Sequence, residues 1–209
     1  MRIVLLCVLL ALASASHADQ PAARVNGVEI GVTRLERYFS EYLQAQGRAL
    51  TSIRNPNLYK RLRDEALDEL IDKELLWQAA QREGIAIDDT QVAAQVAQLE
   101  QAFGGPEVFT RRLAEAGFDR AGFADYTRHE MAAQQAYARM SAIDPPSEAQ
   151  VEAFRRQLQD MQNQSDNTSV IGEQGLALAR TLLVEQLQAQ ARQTVRQRLR
   201  EGARIERAQ

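Results

Sequence analysis

The chain has 209 residues and a formal net charge of −3, with 28 acidic against 25 basic side chains. A mildly acidic chain lacks the strong basic surface that wrapping nucleic acid requires, so no nucleic-acid partner is expected. Its single cysteine, Cys7, falls within a predicted leader, which leaves the mature chain without a disulfide, a thiol nucleophile or a thiolate metal site.

The opening residues, MRIVLLCVLLALASASHADQ, have the layout of a secretory signal: Arg2 supplies a positive start, Ile3 to Ala13 form a short apolar run, and small residues follow. Cleavage after Ala15 and cleavage after Ala18 both suit signal peptidase. The apolar run is shorter than the roughly 20 residues that span a bilayer, and no later stretch is long and apolar enough to do so. A lipoprotein reading through Cys7 is disfavoured, because the cysteine sits inside the apolar run behind Leu5-Leu6 instead of behind a small residue. Residues 1–18 are therefore predicted to be a cleavable signal peptide, with no integral membrane segment after cleavage. The roughly 190 residues left can bury one good core or two small ones.

VNGVEI, Val25 to Ile30, predicts a β-hairpin, because Asn and Gly tolerate the positive φ angles of a type I′ turn. Thr33-Arg34-Leu35-Glu36 has the pattern of a capping box, predicting a helix to about Gly47 that buries Leu35, Phe39 and either Tyr42 or Leu43. After a linker, Pro56 opens a long helix with an apolar stripe through Leu62, Ala66, Leu70 and Trp77, stopped by Gly84. Asp88 and Gln91 form a second capping pattern, with Ile87 and Val92 placed as a hydrophobic staple, and Val92, Val96, Leu99 and Phe103 mark the face of the helix that follows. Gly104-Gly105 end it. Pro106 starts a short helix that ends at Gly117, and Phe118-Asp119 start another reaching about Ala142, before Pro145-Pro146. Ser147 and Gln150 cap a helix to about Gln162, and a helix from about Gly172 to Glu201 carries a narrow stripe from Leu176 to Leu199. Gly202 closes it, and ARIER predicts a last short strand. An isolated two-stranded ribbon is marginal in water, so this strand is the expected partner of the opening hairpin.

The segments AAQREGIAIDDTQV and QAFGGPEVFTRRLAEAGFDRAGFADYTRHEM, in this order of elements, resemble the N-terminal domain of SurA-type periplasmic chaperones and the matching part of parvulin-containing foldases such as PrsA. The resemblance covers roughly Arg24 to Glu152, and TVRQRLREGARIE is similar to the last helix and strand that complete that domain. It implies an all-α, mainly helical fold: a SurA N-terminal-like multi-helix domain with a small N-terminal β-hairpin paired to a short C-terminal strand and closed by a long C-terminal helix. The expected organisation is a signal peptide over 1–18, a chaperone domain over 19–162, a linker over 163–171 and a closing helix and strand over 172–209. In that family a parvulin-type prolyl isomerase domain is normally inserted where the linker stands. Here only Asn163 to Ile171 fill the place, and the family's paired histidines and glycine-rich stretches have no counterpart. The resemblance therefore implies a chaperone module without its catalytic insert, and no enzyme activity.

Other chemistries are weakly represented. His129-Glu130 begins the zinc-protease pattern H-E-x-x-H, but Ala133 stands where the second histidine belongs, so His129 is expected to be a solvated helix residue. Neither Lys60 nor Lys73 follows a glycine-rich loop, no serine sits in a G-x-S-x-G setting, and no metal or cofactor is expected. Asp64, Glu65, Asp68, Glu69 and Asp72 share a helix with Arg61, Arg63 and Lys73, where surface ion pairs are the ordinary explanation. The arginines from Arg192 to Arg207 suit a helix C-terminus better than an acidic or lipid partner.

For a chaperone the flexible methionines and the amphipathic tyrosines matter most, since both adapt to varied sequences. Phe39, Tyr42, Tyr126, Met131, Tyr137 and Met140 are the candidate peptide-binding residues, although for any one of them core is the favoured role in so small a domain. The expected function is an ATP-independent periplasmic holdase for unfolded outer-membrane or secreted polypeptides. The alternatives are a dedicated accessory subunit of one export or envelope assembly machine and, less in keeping with the lone mature histidine, an active prolyl isomerase. The short connection also makes a homodimer one of the expected partners.

Overall fold

Asn26 and Gly27 have φ angles of 52° and 87°, the pair of positive values that a type I′ hairpin turn demands. They join β1 (Pro21–Val25) to β2 (Val28–Gly31) as an antiparallel pair. The computed structural model describes residues 20–163 and 173–208; the predicted signal peptide, and the predicted linker beyond Asn163, lie outside the described residues. The remaining elements are α1 (Val32–Ala45), a short 3-10 turn at Leu50–Ser52, α2 (Pro56–Arg82), α3 (Asp89–Ala102), α4 (Pro106–Glu115), α5 (Arg120–Met140), α6 (Glu148–Asn163), α7 (Glu173–Glu201) and β3 (Ile205–Arg207). Among the described residues no helix is long and apolar enough to cross a membrane.

The first and last strands of the described chain meet, as the resemblance implied. β3 pairs antiparallel with β1, in register Val25 to Ile205, giving the order β2-β1-β3 with β1 in the centre. The turn itself takes part: the Asn26 amide donates to the Arg204 carbonyl at 2.8 Å, and the Arg204 amide donates back to the Asn26 Oδ1 at 2.8 Å.

The helix starts follow their caps, with one correction. Asp88 and Gln91 form the capping box of α3, and Ile87 and Val92 are both buried beside it. Asn55 caps α2 ahead of Pro56, Asp119 caps α5 with Phe118 edge-on to Phe123 at 5.7 Å, and Ser147 and Gln150 exchange hydrogen bonds at the start of α6. The capping box expected at Thr33 and Glu36 does not form. The N-cap is Gly31, two residues before Thr33 and without a side chain to cap with, and the Val32 amide donates to the Gln20 carbonyl at 2.8 Å. Glu36 is thereby released to accept from the Arg63 Nε at 2.7 Å. Boundaries shift slightly elsewhere: α1 ends at Ala45 and α5 at Met140, where the buried Ser141 hydroxyl donates to the Tyr137 carbonyl at 2.6 Å.

Helix α2 organises two successive cores. Its first half packs Leu62, Ala66, Leu70 and Ile71 against the sheet and against Leu35, Phe39 and Leu43 of α1. Its end joins a second core in which Ala80, Val92, Val96, Phe109, Leu113 and Ala136 bring α2 to α5 together. The end of α7 returns between these, with Val195 buried against Leu76 and Ala133. Its beginning packs on α6 through a separate cluster of Val151, Ala179 and Leu183.

Candidate polypeptide-binding groove

Small residues decide how closely α5 approaches its neighbours. Ala132, Ala133 and Ala136 are buried on its inner face, so the helix lies close to α2 and α3, while longer side chains flank that contact on either side. Between α2, α3 and α5 an open groove of about 720 Å³ remains, within the roughly 300–1,000 Å³ typical of ligand clefts. Leu76, Leu99, Phe123, Tyr126, Met131 and Tyr137 supply its apolar lining. Gln91 and Gln95 of α3 and Gln134 and Gln135 of α5 line the two sides. The charged pair in the lining, Lys73 and Glu130, is bonded to itself, with each side chain about a third exposed.

Burial dominates the electrostatics of this region. The Tyr126 phenol is pushed well above its ordinary range, first by burial and then by the charges of Glu130 and Glu41. Tyr38 is raised in the same way, by burial and by donating to Glu69 at 2.6 Å. The Glu41 carboxyl is raised by burial. His129 stays on the surface, as predicted, but its ring also stacks on Trp77 at 4.0 Å between centroids, and burial lowers its pKa. Among the described residues no cluster of three or more His, Cys, Asp or Glu is placed to hold a metal ion.

Three of the six candidate residues, Tyr126, Met131 and Tyr137, come together in the groove. Phe39 does not belong with them: it is 1% exposed, edge-on to Tyr59 at 5.3 Å in the first core, and has no surface to offer a client. Tyr42 lies instead at a smaller cleft between α1 and α2, its hydroxyl donating to Glu65 at 2.8 Å. Met140 is half-buried with Tyr137 against the Val195 cluster, outside the groove lining. The residues not anticipated are Leu76, Leu99 and Phe123 of the lining and the glutamines. Leu99 lies on the apolar face read for α3, but such a face marks burial without saying that it is left open. Two residues of the arginine-rich end are used internally: Arg200 bridges Asp68 and Asp72 of α2, and Arg207 also reaches Asp68.

The SurA-like N-terminal domain family matches residues 1–137 of this sequence. A search of curated protein sequences gives no match. Among solved structures, the chain is similar to one from work on the virulence factor PEB4 and the periplasmic protein Cj1289 of Campylobacter jejuni, described as two structurally related SurA-like chaperones. The identity is 12%, the match covers 90% of this chain and 99% of that one, and the TM-score is 0.53, a likeness of fold. Over the described residues the family match takes in the hairpin and continues through α4 to within a turn of the end of α5, and the chain belongs to the SurA-like N-terminal domain family.

Proposed function

We propose that this protein is an ATP-independent chaperone of the periplasm, exported by a cleavable signal peptide, that holds unfolded outer-membrane or secreted polypeptides without catalysing a reaction on them. The observation that carries this reading is the open groove between α2, α3 and α5, whose lining is apolar and aromatic and whose polar rim is made of uncharged amides and one self-paired Lys–Glu couple. Each apolar client side chain seated there gains about 1.5–3 kcal/mol. Most of that is offset by ordering a flexible chain and by lost translational freedom. Binding is accordingly weak and reversible, which suits a holdase that must release its clients without an energy source. Tyr126, Met131 and Tyr137 are the proposed contacts.

A second reading, a dedicated subunit of one envelope assembly machine, draws on a different surface. Met161, Leu176, Leu178 and Val184 of the α6–α7 pair are exposed large apolar residues, a feature that a fixed partner or a second copy of the chain would cover. The test uses the mature chain from Asp19 onward, without nucleotide. It is titrated into a diluting, urea-denatured outer-membrane protein and into an unrelated aggregating protein while light scattering is followed, with a proline-peptide isomerisation assay on the same sample. Suppressed scattering for both clients with background isomerisation supports the general holdase. Protection of neither overturns it and favours the single-partner subunit. A mass measurement at micromolar concentrations separates monomer from homodimer.

A further inference from the structure

We propose that the groove reads the client's backbone: glutamines on its two sides hydrogen-bond the peptide groups of an extended, uncharged segment, while the apolar lining accepts its side chains with little regard to sequence. This rests on the chaperone reading above and names the segment that the groove takes.

The amides are available for this role. The side chains of Gln95, Gln134 and Gln135 make no hydrogen bond to the described residues, and Gln95 and Gln135 are half-buried, so they face the groove with part of their hydration already removed. Gln91 uses its Oε1 to accept the Asp88 amide at 3.1 Å and leaves its NH2 group uncommitted. A carboxamide both donates and accepts, so it can pair with the N–H and C=O that nearly every residue of a client carries. The spacing also suits an extended chain. Gln91 and Gln95 stand one turn apart on α3, about 6 Å along its axis. The peptide groups on one edge of a strand repeat every second residue, at about 6.7 Å. A helical segment has spent those groups internally and offers nothing to the glutamines. Charge points the same way: Lys73 and Glu130 neutralise each other, so a charged client side chain entering the groove would lose water without gaining a partner.

The experiment compares two labelled peptides of one uncharged, β-prone sequence, one unmodified and one N-methylated at every second residue, binding to the full mature protein and to its Gln95→Leu/Gln135→Leu variant. Leucine is a good helix former, and neither glutamine has a partner to lose, so the variant should fold, which thermal unfolding checks. The expected result is a ten- to thirtyfold, order-of-magnitude weakening for the unmodified peptide, with wild type and variant binding the methylated peptide nearly alike, the mark of coupling between the amides and the backbone. A groove that reads only apolar side chains predicts the opposite sign, because leucine enlarges the apolar surface. Unchanged or tighter binding by the variant overturns the proposal while leaving the holdase reading intact, as does an equal loss for both peptides. Failure of the wild type to bind either peptide or to suppress aggregation overturns both.

Discussion

Replacing Arg200 by methionine should release the end of the closing helix while keeping the apolar stem of the side chain in place. The guanidinium donates from Nε to Asp72 Oδ1 at 2.5 Å, from Nη1 to Asp68 Oδ1 at 2.8 Å and from Nη2 to the Asp68 carbonyl at 2.9 Å. Its side chain is 32% exposed, so each ion pair belongs near the upper end of the surface range, ~1 kcal/mol. The bond to the carbonyl adds ~1 kcal/mol. Arg207 remains on Asp68 and recovers part of this, leaving a loss of about 2 kcal/mol. The hydrogen bonds and charges of Asp72 and Asp68 raise the Arg200 pKa above its ordinary value, so the guanidinium itself stays charged. The effect reaches the groove through α7, since Tyr137 donates to the Arg192 carbonyl at 3.2 Å and Val195 packs on Ala133 behind α5. Urea unfolding reports the stability. Hydrogen exchange at the Asn26 and Ala208 amides, which bond across the β1–β3 seam, reports the local opening, and both should exchange faster while Val96 changes less. A loss under ~0.5 kcal/mol with unchanged exchange at the seam would refute the clamp.

Three further outcomes follow from the same geometry. Asn26→Gly keeps the left-handed turn but loses the side-chain bonds to the Arg204 amide and to Gln78, costing about 1–2 kcal/mol; Asn26→Ala should cost about 1 kcal/mol more through strain at φ 52°, and equal losses in chemical denaturation would contradict that. Phe39→Ala should destabilise by about 3–5 kcal/mol, whereas Met131→Ala should cost less in stability and more in client affinity; the reverse pattern in paired denaturation and peptide-binding assays would exchange their assignments to core and groove. Burial lowers the His129 pKa, so the folded state takes up a proton less readily than the unfolded one. The stability His129 contributes is complete above its unfolded value of about 6.5 and is lost as pH falls through the lower folded value. His129→Gln should therefore flatten the urea midpoint between about pH 7.5 and pH 5, and an unchanged slope would count against the shift.

Much of this architecture is legible in the sequence because caps and turns are local signals. Asn26-Gly27 specify a hairpin through two positive φ angles that few other residue pairs accept. Asp88 and Gln91 satisfy each other's backbone donors within a single turn. Thr33 and Glu36 carry an equivalent pattern and fail. The first turn of α1 follows β2 directly, and Gln20, brought alongside by the hairpin, offers a carbonyl to Val32. That contact spans 12 positions of the chain, beyond the reach of any capping rule. β3 was likewise visible as an expected partner for the hairpin, but its place beside β1 depends on where α7 delivers the chain, which Asp68 and Asp72 help to fix from α2.

The groove was harder to read, and the reason lies in what periodicity measures. Phe39 and Tyr126 are both aromatic residues on amphipathic helices, and neither sequence position says what will stand opposite. Phe39 meets Tyr59 and the β1 core and closes; Tyr126 meets a gap that α3 leaves open beside α5. The glutamines are more deceptive, because uncharged amides at i, i+4 on α3 read as an ordinary wet face. They become the side of a groove only when α5, drawn in by its alanines, sets Gln134 and Gln135 across from them. A binding surface for many sequences has to be built this way. Strong local signals, such as charge clusters or histidine pairs, would give it a preference, and the holdase proposed above would work by having little.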